Sequence, residues 1–241
     1  MPAGLGARRT IRRMARQRTP APLGTEPPAD SHRAALDQYR RRAATYDLEL
    51  TLFEPVRERA IERLALRPGE VVFDVGCGTG LSFAALQAGV GARGAVVGIE
   101  QCPQMLAKAR ERVAASGWRN VALVGAPGES AHVEGQGDAA LFMFTHDIVR
   151  DASAIANIVA QLKPQARVVA AGLQWAPLWA WPANLFVLPA ALYSVSSLEG
   201  LVAPWSRLAD ALGAPRIEAM LGGAVYVASG WRVPTPVAPR R

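Results

Sequence analysis

Along this chain, short apolar runs rich in β-branched residues alternate with longer stretches whose apolar positions recur at helical spacing. The runs at 70–75, 95–100, 120–124, 139–144 and 167–172 are too short for most helices and read as buried strands. Between them, residues 79–91 predict an apolar helix. Residues 103–116 predict a second, opened by Pro103, with Met105, Leu106, Ala109 and Val113 on one face. A third is capped by Asp151 or Ser153 and runs to about Lys163, where Pro164 stops it. The last two runs, 215–220 and 224–228, are joined through Gly222-Gly223 at hairpin length and predict an antiparallel pair at one sheet edge. Strand and helix alternating with short crossovers make a doubly wound, mainly parallel α/β sheet.

The flanks break this rhythm. Residues 32–67 carry Tyr39, Ala43, Tyr46, Leu50, Leu52, Val56, Ile61 and Leu64 at helical spacing and predict N-terminal cap helices, divided by Pro55 and ended by Arg67-Pro68-Gly69. Residues 1–31 read as a disordered Arg-rich tail and 233–241 as a frayed end. The domain proper is expected at 68–232, with an apolar insertion at about 174–205. Residues 168–198 contain no charged side chain but include Trp175, Trp179, Trp181, Phe186 and Tyr193. Pro177, Pro182, Pro189, Gln174 and Asn184 interrupt the run, which argues against a membrane span. It reads instead as an apolar cap over a substrate pocket or a surface that dips into a membrane, the plain alternative being a helix pair packed on the sheet.

Composition narrows the choice. With 241 residues, half of them apolar, one domain is the default. The formal charge is +7, but Arg8, Arg9, Arg12, Arg13, Arg16 and Arg18 supply six of those charges and leave +1 for the rest. The domain therefore lacks the electrostatic footprint of a nucleic-acid binder, and a small-molecule or lipid substrate is the expected partner. Two cysteines exclude a disulfide framework, and His32, His132 and His146 are too few for a histidine-rich metal site. No apolar segment follows the basic N-terminus, so a cytoplasmic protein is expected, with peripheral membrane contact at most.

Candidate chemistry gathers at Asp74-Val-Gly76-Cys-Gly78-Thr-Gly80, where the first strand runs into three alternate glycines. A backbone turn without Cβ atoms is a cradle for a ligand. The spacing is not the G-x-G-x-x-G that seats a pyrophosphate, and a buried acid two residues ahead favours a ligand bearing a cation there. Glu100 ends the second strand twenty residues after Gly80, where a carboxylate accepts from both hydroxyls of a ribose. S-adenosylmethionine (SAM) combines an ammonium, a carboxylate, a sulfonium and a ribose diol in that pattern.

From about residue 36 to 230, and most of all at 74–80 and Glu100, the chain resembles the class I SAM-dependent methyltransferases. Tyr46-Asp47, Gly117-Trp118-Arg119-Asn120-Val121 and Gly223-Ala-Val-Tyr-Val-Ala-Ser-Gly230 resemble the branch with quinone-biosynthesis and bacterial phospholipid methyltransferases. The resemblance implies a Rossmann-like sheet of seven strands, mostly parallel with an antiparallel C-terminal hairpin strand, and SAM as cofactor. It places Gly76, Gly78 and Gly80 under the methionine and ribose, Asp74 at the ammonium and Glu100 at the ribose hydroxyls. It further implies that Gln101 and Met105 flank the adenine and that Tyr46 closes over the methyl group or the methionine end. Where the family carries an acid for the adenine amino group, Ala126-Pro127-Gly128 stands here, and Glu129 or Ser130 is the expected substitute. His146, after the fourth strand, is the candidate to position the acceptor or take its proton, against the alternative of a loop or cap hydrogen bond. The expected function is methyl transfer to a small apolar or amphipathic acceptor such as a lipid, quinone or secondary metabolite. A non-catalytic SAM-binding subunit and an RNA methyltransferase using the basic tail are the alternatives. No metal is expected, and the oligomeric state is left open.

Overall fold

The computed structural model describes residues 53–194 and 200–233. Helix α1 (Glu54–Leu64) leads into β1 (Val71–Val75), and α2 (Phe83–Val90), β2 (Ala95–Ile99), α3 (Pro103–Ala115) and β3 (Val121–Val124) follow. Next come β4 (Gly137–Met143), α4 (His146–Arg150), α5 (Ala152–Ala160) and β5 (Leu162–Leu173). The chain then forms α6 (Trp181–Ser194), α7 (Ser206–Leu212), β6 (Arg216–Met220) and β7 (Val225–Trp231).

The seven strands lie in the order β3-β2-β1-β4-β5-β7-β6. Strands β1 to β5 pair in parallel, while β7 is antiparallel to both β5 and β6. This is the doubly wound sheet with a C-terminal hairpin that the apolar runs predict. The chain winds away from β1 in one direction through β2 and β3, and in the other from β4. A crevice consequently opens beyond the carboxyl ends of β1 and β4.

Alternation along β1 divides the core. Phe73 and Val75 face the cluster containing Ile155, Ile158 and Leu208, from α5 and α7. Val72 faces the cluster of Val56, Ala60 and Leu64 from α1 with Phe83 and Leu86 from α2. Asp74 shares Val72's side of the strand. Helix α1 is fixed there by Glu218 of β6, which accepts from Arg59 Nε at 2.9 Å and also pairs with Arg63.

Several boundaries differ from expectation. Pro55 occupies the first turn of α1, as suits a residue without an N–H, and the helix expected ahead of it lies outside the described residues. Helix α2 begins at Phe83, because residues 79–82 form a turn. The helix expected to reach Lys163 ends at Ala160. Leu162, fully buried, already pairs with Gly137; residues 163–165 bulge out, Ala166 returns to the core and the ladder resumes at Arg167 against Ala139. Helix α7, with buried Leu208 and Leu212, packs on the sheet just after the expected insertion. No described helix is long and apolar enough to cross a membrane. Residues 1–52 and 234–241, with the tail, most of the cap helices and Tyr46, lie outside the described residues.

Candidate active site

The glycine turn is tied to the end of β2. Gly76 N–H and Cys77 N–H donate to the Ile99 carbonyl at 2.8 and 3.0 Å. Glu100, 9 % exposed, accepts from Gly78 N–H at 2.9 Å on Oε2 and from Cys102 N–H at 2.7 Å on Oε1. Burial pushes its carboxyl above the ordinary range, and the backbone N–H groups of Cys102, Gly78 and Gln101 pull it partly back. Each oxygen keeps a lone pair for a further donor.

The three glycines serve different needs. At Gly78, with φ +55°, a Cβ would meet nothing within 4 Å, so its backbone opens on the crevice. At Gly76 a Cβ would overlap Thr145 Cγ2 at 2.4 Å, which makes this glycine the condition for the β4–α4 loop to close on the turn. Gly80 departs from expectation: a Cβ there would strike the Phe83 ring at 2.5 Å, and Gly80 lines neither lobe of the site. It makes room for the first turn of α2.

The crevice has two lobes sharing Gly76, Gly78, Met143 and Phe144. The larger, an open cleft, is lined by Glu100, Gln101, Met105, Ala126, Gly128 and His146, among others. Gln101 is exposed at its mouth, while Met105 is buried in its wall. Glu129 is exposed and outside the lining, and the Ser130 hydroxyl faces the Pro127 carbonyl at 3.5 Å. Neither of the expected substitutes for the missing acid borders the cleft, whose wall here is Ala126 and Gly128.

The smaller lobe is walled by Arg57, Asp74, Thr79 and Ser82, among others. Asp74 is 1 % exposed, and its Oδ2 has no hydrogen-bond partner. Burial pushes its carboxyl up to about 7; Arg57 opposes that shift and Glu100 adds to it. Arg57, 4 % exposed, pairs with Glu54, while its Nε is unpartnered.

At the junction stand Phe144 and His146. Phe144 adopts φ +55°, a left-handed conformation uncommon for a bulky residue, with its N–H held by the Ala171 carbonyl at 2.8 Å. Its ring packs on Phe53 at 4.6 Å between centroids, placing the start of α1 beside the crevice. His146 opens α4 and lines the larger lobe. Cys77 takes no part as a nucleophile, since burial pushes its thiol well above the ordinary value. Among the described residues, no group of three His, Cys, Asp or Glu is placed to hold a metal ion.

Comparison with known proteins decides the family. The model of the protein-L-isoaspartate (D-aspartate) O-methyltransferase family, PCMT, matches residues 39–170, more than half of the chain. The chain belongs to the PCMT family. Relatives with other acceptors match over shorter stretches. Aklanonic acid methyltransferase DauC of Streptomyces sp. (strain C5) is 33 % identical over 87 residues, 36 % of this chain and 40 % of that protein. Demethylmenaquinone methyltransferase of Shouchella clausii is 38 % identical over 68 residues, 28 % of this chain and 29 % of that protein. The matches thus span less than half the length of these curated relatives. Among solved structures, the N-methyltransferase NodS of Bradyrhizobium japonicum WM9 with S-adenosylhomocysteine (SAH) aligns with TM-score 0.53 at 15 % identity. The alignment covers 75 % of this chain and 87 % of that one. The likeness establishes a class I SAM-dependent methyltransferase fold.

The PCMT-family donor fits the residues present. The open backbone of Gly78, the acceptor oxygens of Glu100 and the orphaned oxygen of Asp74 are what a ribose diol and an ammonium require. Of the expected site residues, the structure brings Asp74, Gly76, Gly78, Glu100, Gln101, Met105 and His146 to one crevice and leaves out Gly80 and Glu129. Sequence reasoning missed Arg57, Thr145 and the Phe53–Phe144 pair. The signal for Arg57 was available: Arg57, Ala60 and Leu64 share the i, i+3, i+7 stripe that α1 buries.

Proposed function

We propose that this chain is a SAM-dependent methyltransferase whose acceptor is a small apolar or amphipathic molecule. The observation that carries the reading is the two-lobed crevice in which Asp74 and Glu100 sit apart, with Gly78 between them. SAM supplies an activated methyl group on a sulfonium. The protein's share is to hold donor and acceptor in line, which by itself supplies much of the rate of such a displacement. In this reading Glu100 accepts from the ribose hydroxyls, Asp74 anchors the ammonium, and Gln101 with Met105 borders the base. Met143 and Phe144 form an apolar floor where the lobes meet, and His146 stands at the lip to orient the acceptor or take its proton.

The acceptor class is supported by that floor and by the 174–205 segment. Leu178, Trp179, Trp181 and Leu185 are more than half exposed there, in a stretch without charge. Such a face suits an acceptor that partitions into lipid, and with it peripheral contact with a membrane. The relatives acting on aklanonic acid and demethylmenaquinone point the same way. A second reading, methylation of isoaspartyl carboxyls in proteins, is favoured by the family match itself.

Incubating the protein with deuteromethyl SAM and either a lipid and quinone extract or isoaspartyl peptides, followed by mass spectrometry, separates these readings. Label in an apolar small molecule is expected. Label only in the peptide would establish the second reading, and SAM binding without transfer to either would leave a binding module in place of an enzyme. A folded protein that binds neither SAM nor SAH by calorimetry would end the proposal.

A further inference from the structure

Between β3 and β4 the chain lines the larger lobe with Ala126 and Gly128, and the carbonyls that follow are drawn away from the cleft. The Pro127 carbonyl accepts from Ser130 N–H at 3.1 Å and from Ala131 N–H at 2.8 Å. Asn157 of α5 donates through Nδ2 to the carbonyls of Gly128 and Ala131, both at 2.8 Å, and Gln161 Nε2 donates to Ala131 at 3.0 Å. A Cβ at Gly128 would meet Ala154 Cβ at 3.2 Å and Ile148 Cγ2 at 3.3 Å, so that direction is filled by α4 and α5. Glu129 and Ser130 are exposed and lie outside the lining. The carboxylates of the lobe stand elsewhere: Glu100 is engaged by Gly78 and Cys102 N–H, and Asp147 is exposed in the first turn of α4.

Resting on the reading of the crevice as a SAM site, we propose that the protein does not read the exocyclic amine of the donor's base and accepts nucleosides altered at that position. A site built around an acceptor for such an amine rejects the analogue that lacks it, because the acceptor is then left unpaired. A wall made of one methyl group and one glycine backbone, whose carbonyl is committed to Asn157, loses nothing when the amine is absent. Ala126 is also a short side chain at the edge of an open cleft, which leaves room for alkyl groups on the exocyclic nitrogen. Recognition of the donor then rests on the ribose, at Glu100, and on the ammonium, at Asp74.

The test is calorimetry on the full chain with three nucleosides that share the ribose and the amino-acid end. These are SAH; its 6-deamino analogue, in which hydrogen replaces the amino group; and its N6,N6-dimethyl analogue, which keeps the nitrogen but has no N–H to donate. The wild-type protein is expected to bind all three within about threefold, whereas a charge-assisted hydrogen bond to the amine would set SAH apart by about tenfold to a hundredfold. Ala126→Asp, which places a carboxylate on this wall, is expected to create a preference of about tenfold for SAH over the 6-deamino analogue.

A wild-type preference of about tenfold or more for SAH over the 6-deamino analogue overturns the proposal, whether Asp147 or another group supplies the acceptor. That comparison stands even if Ala126→Asp fails to fold. Rejection of the dimethyl analogue by a similar factor overturns the proposal as well, since the edge is then closed. A folded Ala126→Asp variant that still binds SAH and the 6-deamino analogue alike places the base away from this wall and defeats the assignment. Wild-type protein that is folded and binds none of the three defeats the SAM reading itself, a result distinct from the others.

Discussion

Asp74 is a carboxyl held where a surface aspartate would never titrate. Its ordinary value of 3.8 rises to about 7, chiefly through burial. Between those values the folded chain keeps a proton that the unfolded chain has released, so stability falls as pH rises across that window and levels off above it. A shift of about three units corresponds to about 4 kcal/mol. Urea unfolding at about pH 4.5 and about pH 8 is expected to show that loss in the wild-type protein and not in Asp74→Asn; parallel pH profiles would refute it. Binding runs the opposite way. An ammonium ligand needs the ionised carboxylate, so SAH affinity should fall toward tenfold per unit below about pH 7, with proton release detectable as a buffer-dependent enthalpy. Asp74 and Glu100 were legible in the sequence because their places follow from strand ends and a local turn. Arg57 was not singled out although its place on the i, i+3, i+7 stripe that α1 buries marked it, because an arginine on such a stripe ordinarily reads as solvated. Gly80 was read as part of the cradle, and the nearest atoms to a Cβ there belong to the Phe83 ring, a contact that no local pattern encodes.

At the level of elements, every strand was foreshadowed by an apolar run, and the errors lie at ends where tertiary contacts override local signals. Pro164 was read as the end of a helix. The chain in fact leaves α5 after Ala160, drops Leu162 into the core and bulges through 163–165, where Pro164 owes no ladder hydrogen bond. This assignment has a measurable consequence. Leu162→Ala, at a fully buried position, should cost about 2–5 kcal/mol in denaturant unfolding. Lys163→Ala, removing an exposed pair with Asp138, should cost under about 1 kcal/mol. Similar small effects at both positions would return residues 162–163 to a solvated helix end. The attachment of α1 to β6 was equally invisible in sequence, since Arg59 and Glu218 lie 159 residues apart. Glu218 is pulled down to about 2 by Arg59 and Arg63, so the link is intact at neutral pH and weakens only as pH falls from the ordinary 4.5 toward that value.

For the molecule as a whole, the parallel strands align the site and the apolar segment at one edge of the sheet. β5 runs in the same direction as β1 and β4, so the chain leaving it at Leu173 emerges on the side where the crevice opens. Gln174 N–H donates to the Ala224 carbonyl and Trp175 N–H to the Leu201 carbonyl, both at 2.9 Å, fixing the root of the segment. Asn184 clasps the backbone of Ala176 in both directions, at 2.8 and 3.2 Å. A rooted segment that still leaves Leu178 and Trp179 92 % and 81 % exposed presents its apolar side chains outward from the edge that holds the site. Tryptophan at such a surface favours the boundary between water and lipid. The composition forecast an uncharged stretch here, but whether it would be covered depended on packing that no local pattern encodes. If the face guides a lipid-soluble acceptor to the crevice, replacing Trp179 and Trp181 together by serine should lower co-sedimentation with phospholipid vesicles. It should also raise KM for the acceptor several-fold while SAH affinity stays fixed, because neither residue borders the donor lobes. Unchanged vesicle binding and unchanged KM in a folded double variant would remove the face from the path of the acceptor.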